Sequence, residues 1–94
     1  MIYVGIDVAK DKHDCCILGS EADRLYPVFT IPNNKTGFDE LYEKIFSVTD
    51  DRTEIKVGLE ATGHYSLNLL GSLIDKGLPT CVISPLHTNL YRKG

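Results

Sequence analysis

Apolar residues fall into short runs along the chain, and their period switches between two and the three-and-four spacing of a helix face. Ile2-Tyr3-Val4-Gly5-Ile6-Asp7-Val8 is apolar at nearly every position and rich in β-branched residues, which predicts a central strand covered on both faces. Lys12 to Leu18 and Arg24 to Ile31 predict two more strands in an antiparallel meander, joined through the turn formers Gly19-Ser20-Glu21-Ala22-Asp23. Pro27 withholds a ladder donor, so the third strand belongs at an edge or a bulge. Phe38, Leu41, Tyr42, Ile45 and Val48 then recur at helical spacing. Thr36 followed by Asp39 predicts a capping-box-like start, and the Asp39-Glu40 pair suits the positive end of the helix dipole. Thr49-Asp50-Asp51-Arg52 ends that helix.

Glu54 to Glu60 predicts another strand. A second helix is expected from about His64 to Lys76, with Leu69, Leu70, Leu73 and Ile74 inward and Gly77 as its C-terminal cap. Pro79 to Ser84 forms the last strand, closed by Pro85, and Leu86 to Arg92 opens a further helix. The order β-β-β-α-β-α-β defines an α/β fold whose late β-α-β crossover makes its strands parallel. Tyr91-Arg92-Lys93-Gly94 stops in mid-element, so the chain is expected to be one partial domain, residues 1–94, of a longer protein.

Composition narrows the function. With 94 residues, 43% of them hydrophobic and 24% charged, one modest core is expected. No apolar run approaches the roughly 18 residues that span a bilayer, and no basic segment precedes the first apolar stretch, so the expected location is cytoplasmic, away from membranes. A net charge of −3 argues against a free-standing nucleic-acid binder, which needs clustered Lys and Arg, but suits a site where cations supply the positive charge. Cys15, Cys16 and Cys81 are odd in number and lack zinc-ligand spacing, which predicts buried thiols rather than disulfides or metal ligands.

The chemistry concentrates in two strands that echo each other. Ile2-Tyr3-Val4-Gly5-Ile6-Asp7 and Ile55-Lys56-Val57-Gly58-Leu59-Glu60 both read Ile-x-Val-Gly-aliphatic-acid. Alternation puts Gly5 with Asp7, and Gly58 with Glu60, on one face of their strands. As parallel neighbours in matching register, the strands would bring the two acids together at their C-terminal ends, where open α/β sheets collect ligands. Two such carboxylates repel unless a proton or a cation joins them, and hard divalent cations prefer oxygen donors. A pair of Mg²⁺ ions about 3.5–4 Å apart can hold the attacking and leaving oxygens of a phosphodiester. On spacing alone, structural acids at strand ends remain an alternative.

Other residues weigh less. Lys10, in the turn after the first strand, is placed to meet a phosphate or to remain a solvated surface lysine. His64 and Tyr65 stand where a helix begins after Glu60, suited to a nucleic-acid backbone or to packing, and Thr62 is the natural N-cap. Asp11 and Asp14 are placed less well than Glu60, and His13 and His87 lack metal-ligand spacing.

Gly5-Ile6-Asp7-Val8-Ala9-Lys10, Leu59-Glu60-Ala61-Thr62-Gly63-His64-Tyr65 and Val82-Ile83-Ser84-Pro85 together resemble the amino-terminal part of insertion sequence 110 family transposases. The resemblance covers essentially the whole chain, and the Glu-Ala-Thr-Gly-x-Tyr element is its most specific part. It implies a RuvC-like, ribonuclease-H-type fold and DNA transposition or recombination by Mg²⁺- or Mn²⁺-dependent phosphoryl transfer. Asp7 matches the first acid of the Asp-Glu-Asp-Asp set and Glu60 the second, so both are expected to be catalytic and to hold metal. Lys10, Thr62 and His64 are the candidate nucleic-acid contacts. The other two acids, and a serine nucleophile domain, lie in the family beyond Gly94. The resemblance also implies a DNA partner, a homo-oligomer and, in some members, a guide RNA.

Two other classes compete. A sugar-kinase or actin-like ATP-binding domain shares the β-β-β-α-β-α start and the early acid, but its phosphate turn wants Gly and Ser or Thr where Val8 and Ala9 stand. A non-catalytic oligomerisation module would keep the fold and use its edges or helix faces.

Overall fold

The computed structural model describes residues 1–60 and 67–83. Within them lie strands β1 (Ile2–Val8), β2 (Lys12–Leu18) and β3 (Phe29–Pro32), helix α1 (Lys35–Val48), a 3-10 turn (Arg52–Glu54), strand β4 (Ile55–Glu60), helix α2 (Leu67–Asp75) and strand β5 (Thr80–Ile83). The five strands form one sheet in the order β3-β2-β1-β4-β5, so β1 is near its centre, as expected. β1, β2 and β3 pair antiparallel, whereas β1, β4 and β5 are parallel.

Alternation along the strands separates two faces. Val4, Ile6 and Val8 of β1, Ile17 of β2, Ile31 of β3, and Ile55, Val57 and Leu59 of β4 are buried with Phe38, Leu41 and Ile45 of α1 and Leu69 and Leu73 of α2 in one core. Each fully buried aliphatic side chain contributes roughly 1.5–3 kcal/mol. The intervening positions Tyr3, Asp7, Lys56 and Glu60 are exposed. β1 is therefore covered on one face among the described residues, not two; its apolar character between the core positions comes largely from Tyr3 and Gly5.

Several local expectations shift for identifiable reasons. β3 begins only at Phe29; upstream, the meander is reduced to an isolated bridge between Leu18 and Arg24. Pro27 has no N–H for a ladder, and the preceding turn sets Ala22 at a positive φ of 63°. Helix α1 is capped by Asn34, whose side chain accepts from the Gly37 N–H at 2.9 Å, rather than by Thr36. Asp39 consequently sits beyond the first turn and pairs with Lys35 at 3.2 Å. Gly37 lies so close to the Pro32 carbonyl that a Cβ there would collide with it, which is how the helix start packs against the end of β3.

Helix α2 ends as the sequence predicts. Gly77, at φ 74°, donates to the Ile74 carbonyl while Leu78 donates to Leu73, the paired bonds of a left-handed cap. Arg52 Nε donates to the Lys76 carbonyl at 2.6 Å, occupying another acceptor at that end. Leu69 and Leu73 face inward and Leu70 is half-buried, but Ile74 is 62% exposed, contrary to expectation, because two helical turns bring only the 69/73 stripe against the sheet. The expected helix start at His64 and the opening of a helix at Leu86 lie outside the described residues. Among the described residues no helix is long and apolar enough to cross a membrane.

Candidate metal and nucleic-acid site

The parallel pairing of β1 with β4 aligns Ile2 with Ile55, Gly5 with Gly58 and Asp7 with Glu60. Neighbouring strands lie about 4.8 Å apart, so the two acids are side by side at the C-terminal ends of the central strands. Ile6 and Leu59, immediately before them, are buried on the helix side, which fixes both carboxylates on the open face. Where the sequence predicts a matched pair, the register supplies one.

The antiparallel β1–β2 ladder adds a third acid. Val8 pairs with His13, and Asp7 therefore lies opposite Asp14. Asp14 in turn faces Thr30 of β3, whose hydroxyl donates to Asp14 Oδ1 at 2.7 Å. Across the open face one row reads Thr30, Asp14, Asp7, Glu60 and, on β5, Ile83. The adjacent row is Cys16, Gly5, Gly58 and Cys81. A groove of about 450 Å³ runs over both rows and is lined by Asp7, Asp14 and Glu60 with Gly5, Cys16 and Gly58. Of the two further acids, Asp14 and not Asp11 stands beside Asp7. Its position follows from the hairpin register, in which Val8 pairs with His13 across the turn that follows β1.

The row is electrostatically one-sided. Among the described residues the salt bridges join Met1 to Glu54, Lys35 to Asp39 and Lys44 to Glu40, and none reaches Asp7, Asp14 or Glu60. Like charges opposite one another across a ladder are unfavourable, and a divalent cation is the species that reverses their sign of interaction. The donors are carboxylate oxygens, which suit Mg²⁺ or Mn²⁺. No cluster of three or more His, Cys, Asp or Glu close enough to hold an ion is found among the described residues, so these acids fit the group as a partial set.

The remaining candidates separate. Lys10 is exposed in the turn that follows β1, two residues beyond the strand end. Thr62, His64 and Tyr65 lie outside the described residues, as does His87. Asp11 is in the β1–β2 turn, and His13 is fully buried. All three cysteines are free, but only Cys15 is buried; Cys16 points to the open face and Cys81 is exposed at the edge strand, so the expectation of buried thiols holds for one of them. Burial, then the neighbouring Asp14 carboxylate, push the Cys15 thiol up to about 12, leaving it a protonated packing group rather than a nucleophile.

Comparison with known proteins bears on this geometry. The family model for DEDD transposases of the insertion sequence 110 type, described as Transposase, matches residues 4–94. The pilin gene-inverting protein of Moraxella bovis is 31% identical over 91 residues, covering 97% of this chain and 27% of its own length. That of Moraxella lacunata is 30% identical over the same shares. The chain thus spans about a quarter of the length of these relatives. Among solved structures, T. thermophilus RuvC in complex with a Holliday junction substrate superposes with a TM-score of 0.60 at 12% identity, covering 92% of this chain and 66% of that one. At that identity the likeness concerns the fold, and it is the RuvC-like α/β sheet the sequence predicts.

Proposed function

From the premise that this chain belongs to the insertion sequence 110 DEDD transposase family, we propose that it is the front part of a nuclease domain which cuts and joins DNA during transposition or site-specific recombination. The observation that carries this reading is the alignment of Asp7 with Glu60 on adjacent parallel strands, exposed at their C-terminal ends with no basic partner among the described residues.

Asp7 and Glu60 would hold the metal, Mg²⁺ or Mn²⁺, and in the complete site a pair of ions. A cation bound there supplies Lewis-acid polarisation of a DNA phosphate and lowers the pKa of an attacking water or hydroxyl. The chain's own contribution is positional. Two strands of one sheet fix the carboxylates at a set spacing, and the buried residues before them leave no freedom to turn away. Lys10, beyond the same strand end, meets the backbone of the substrate, and Thr62 and His64, which follow Glu60 in the sequence, are further candidate contacts. Two further acids from the rest of the protein complete the set, so these 94 residues alone are inactive. Joining two duplexes calls for more than one protomer, so the complete protein acts as a homo-oligomer.

Strand cleavage by the complete protein tests the assignment. Asp7→Ala and Glu60→Ala should each abolish it while leaving the protein folded; full cleavage in both variants would refute the site.

A further inference from the structure

Ala9, Lys10 and Asp11 connect β1 to β2, and a backbone group of each is tied down. The Ala9 N–H donates to His13 Nδ1 at 3.3 Å, the Asn33 side-chain amide donates to the Lys10 carbonyl at 2.9 Å, and the Asn33 backbone N–H donates to the Asp11 carbonyl at 2.9 Å. The side chains of all three turn residues are exposed. Packing therefore does not hold the turn, and these bonds do.

The two residues that make them are otherwise badly served by their positions. His13 is the buried polar residue of the described core, at 0% exposure, with its ring stacked 6.4 Å from that of Phe38 on α1. Because Nδ1 accepts, the proton belongs on Nε2, and that atom has no partner among the described residues. Asn33 Oδ1 is likewise buried and unpaired among the described residues. Both are unfavourable arrangements that an apolar residue at position 13 or a smaller one at position 33 would avoid. Phe38 needs only a flat apolar neighbour. What these polar groups provide is the fixed turn immediately after Asp7.

We propose that His13 and Asn33 are positioning residues that lock the Ala9–Asp11 turn so that Lys10 is held ready for a DNA phosphate beside Asp7, an inference that rests on the reading of Asp7 and Glu60 as a DNA-processing site. A turn ordered in advance loses less freedom when DNA binds. His13→Phe keeps the ring packing and deletes the acceptor, whereas His13→Asn keeps an acceptor at a similar reach. Asn33→Ala removes the bond to the Lys10 carbonyl, keeps the backbone bond to Asp11, and leaves the core unaltered.

The test is the DNA dissociation constant of the complete protein at fixed salt. Both His13→Phe and Asn33→Ala should weaken binding by roughly 2–12-fold, the range for leaving one side chain to be ordered on association. His13→Asn should restore most of the loss. In a Lys10→Ala background, His13→Phe should cost nothing further, because the residue it positions is already gone. Additive losses in the double variant, or folded His13→Phe and Asn33→Ala proteins with unchanged DNA affinity, would overturn the proposal. DNA affinity is measured without cleavage, so undiminished cleavage by both Asp7→Ala and Glu60→Ala would refute the metal site while the binding series still judges the turn.

Discussion

The two faces of this sheet follow opposite rules. On the helix side every strand of the first four contributes buried side chains, mostly aliphatic, and α1 and α2 close over them. On the open side the same strands carry Asp14, Asp7 and Glu60 in one row and Cys16, Gly5, Gly58 and Cys81 in the next. Residues adjacent in sequence are thus under different constraints: Leu59 holds the fold together and Glu60 does not. The covered face is built from what water excludes, and the open face from groups that favour strand propensity poorly and repel one another. Such a departure from local preference is where a functional site is expected.

The widest gap between the faces should appear in thiol chemistry. With the Cys15 thiol raised from 9.0 to about 12, its thiolate at a given pH is scarcer by roughly a thousandfold than that of an unshifted thiol. Iodoacetamide monitored by mass spectrometry should therefore modify exposed Cys81 long before Cys15; equal rates would place Cys15 outside the core. The linkage has a definite sign. The fold retains the Cys15 proton more tightly than the unfolded chain does, so its contribution to stability is complete below pH 9 and is lost as pH rises toward 12.

Neighbouring substitutions on β4 sharpen the contrast. Leu59→Ala should cost about 2–5 kcal/mol in urea unfolding, since Leu59 is fully buried. Glu60→Ala, one residue on, should leave stability within about 0.5 kcal/mol and instead remove activity from the complete protein. A large loss of stability in Glu60→Ala would mean that its carboxylate serves the fold.

Much of this was legible beforehand because the signals were redundant. The repeated Ile-x-Val-Gly-aliphatic-acid segments and the β-α-β order independently require parallel neighbours, and the Asp7–Glu60 register followed. Asp14 ranks below Glu60 on sequence because its partner depends on where a hairpin turns, a choice between registers that turn-forming residues leave open. The start of α1 was misplaced by two residues because Asn34 and Thr36 are both competent caps, and the collision that a Cβ at Gly37 would make with Pro32 shows how tightly packing fixes that end. Ile74 has helical spacing but no surface to meet among the described residues, and spacing alone does not report how wide the covering sheet is.

The smallest expected effect is a gain. Asp14→Asn removes one of three aligned negative charges while keeping an oxygen for Thr30, and should stabilise the chain by roughly 0.2–1 kcal/mol at low salt, less as salt rises. A loss of stability would indicate that the charge on Asp14 is favourably paired.

The central claim is that Asp7 and Glu60 act together as half of a metal site, and nuclear magnetic resonance with added Mn²⁺ addresses it most directly. Paramagnetic broadening should centre on the amides at the ends of β1 and β4, and should weaken there in both Asp7→Asn and Glu60→Gln. Broadening spread evenly over acidic surface positions such as Asp50 and Asp51, and unchanged by either substitution, would contradict it.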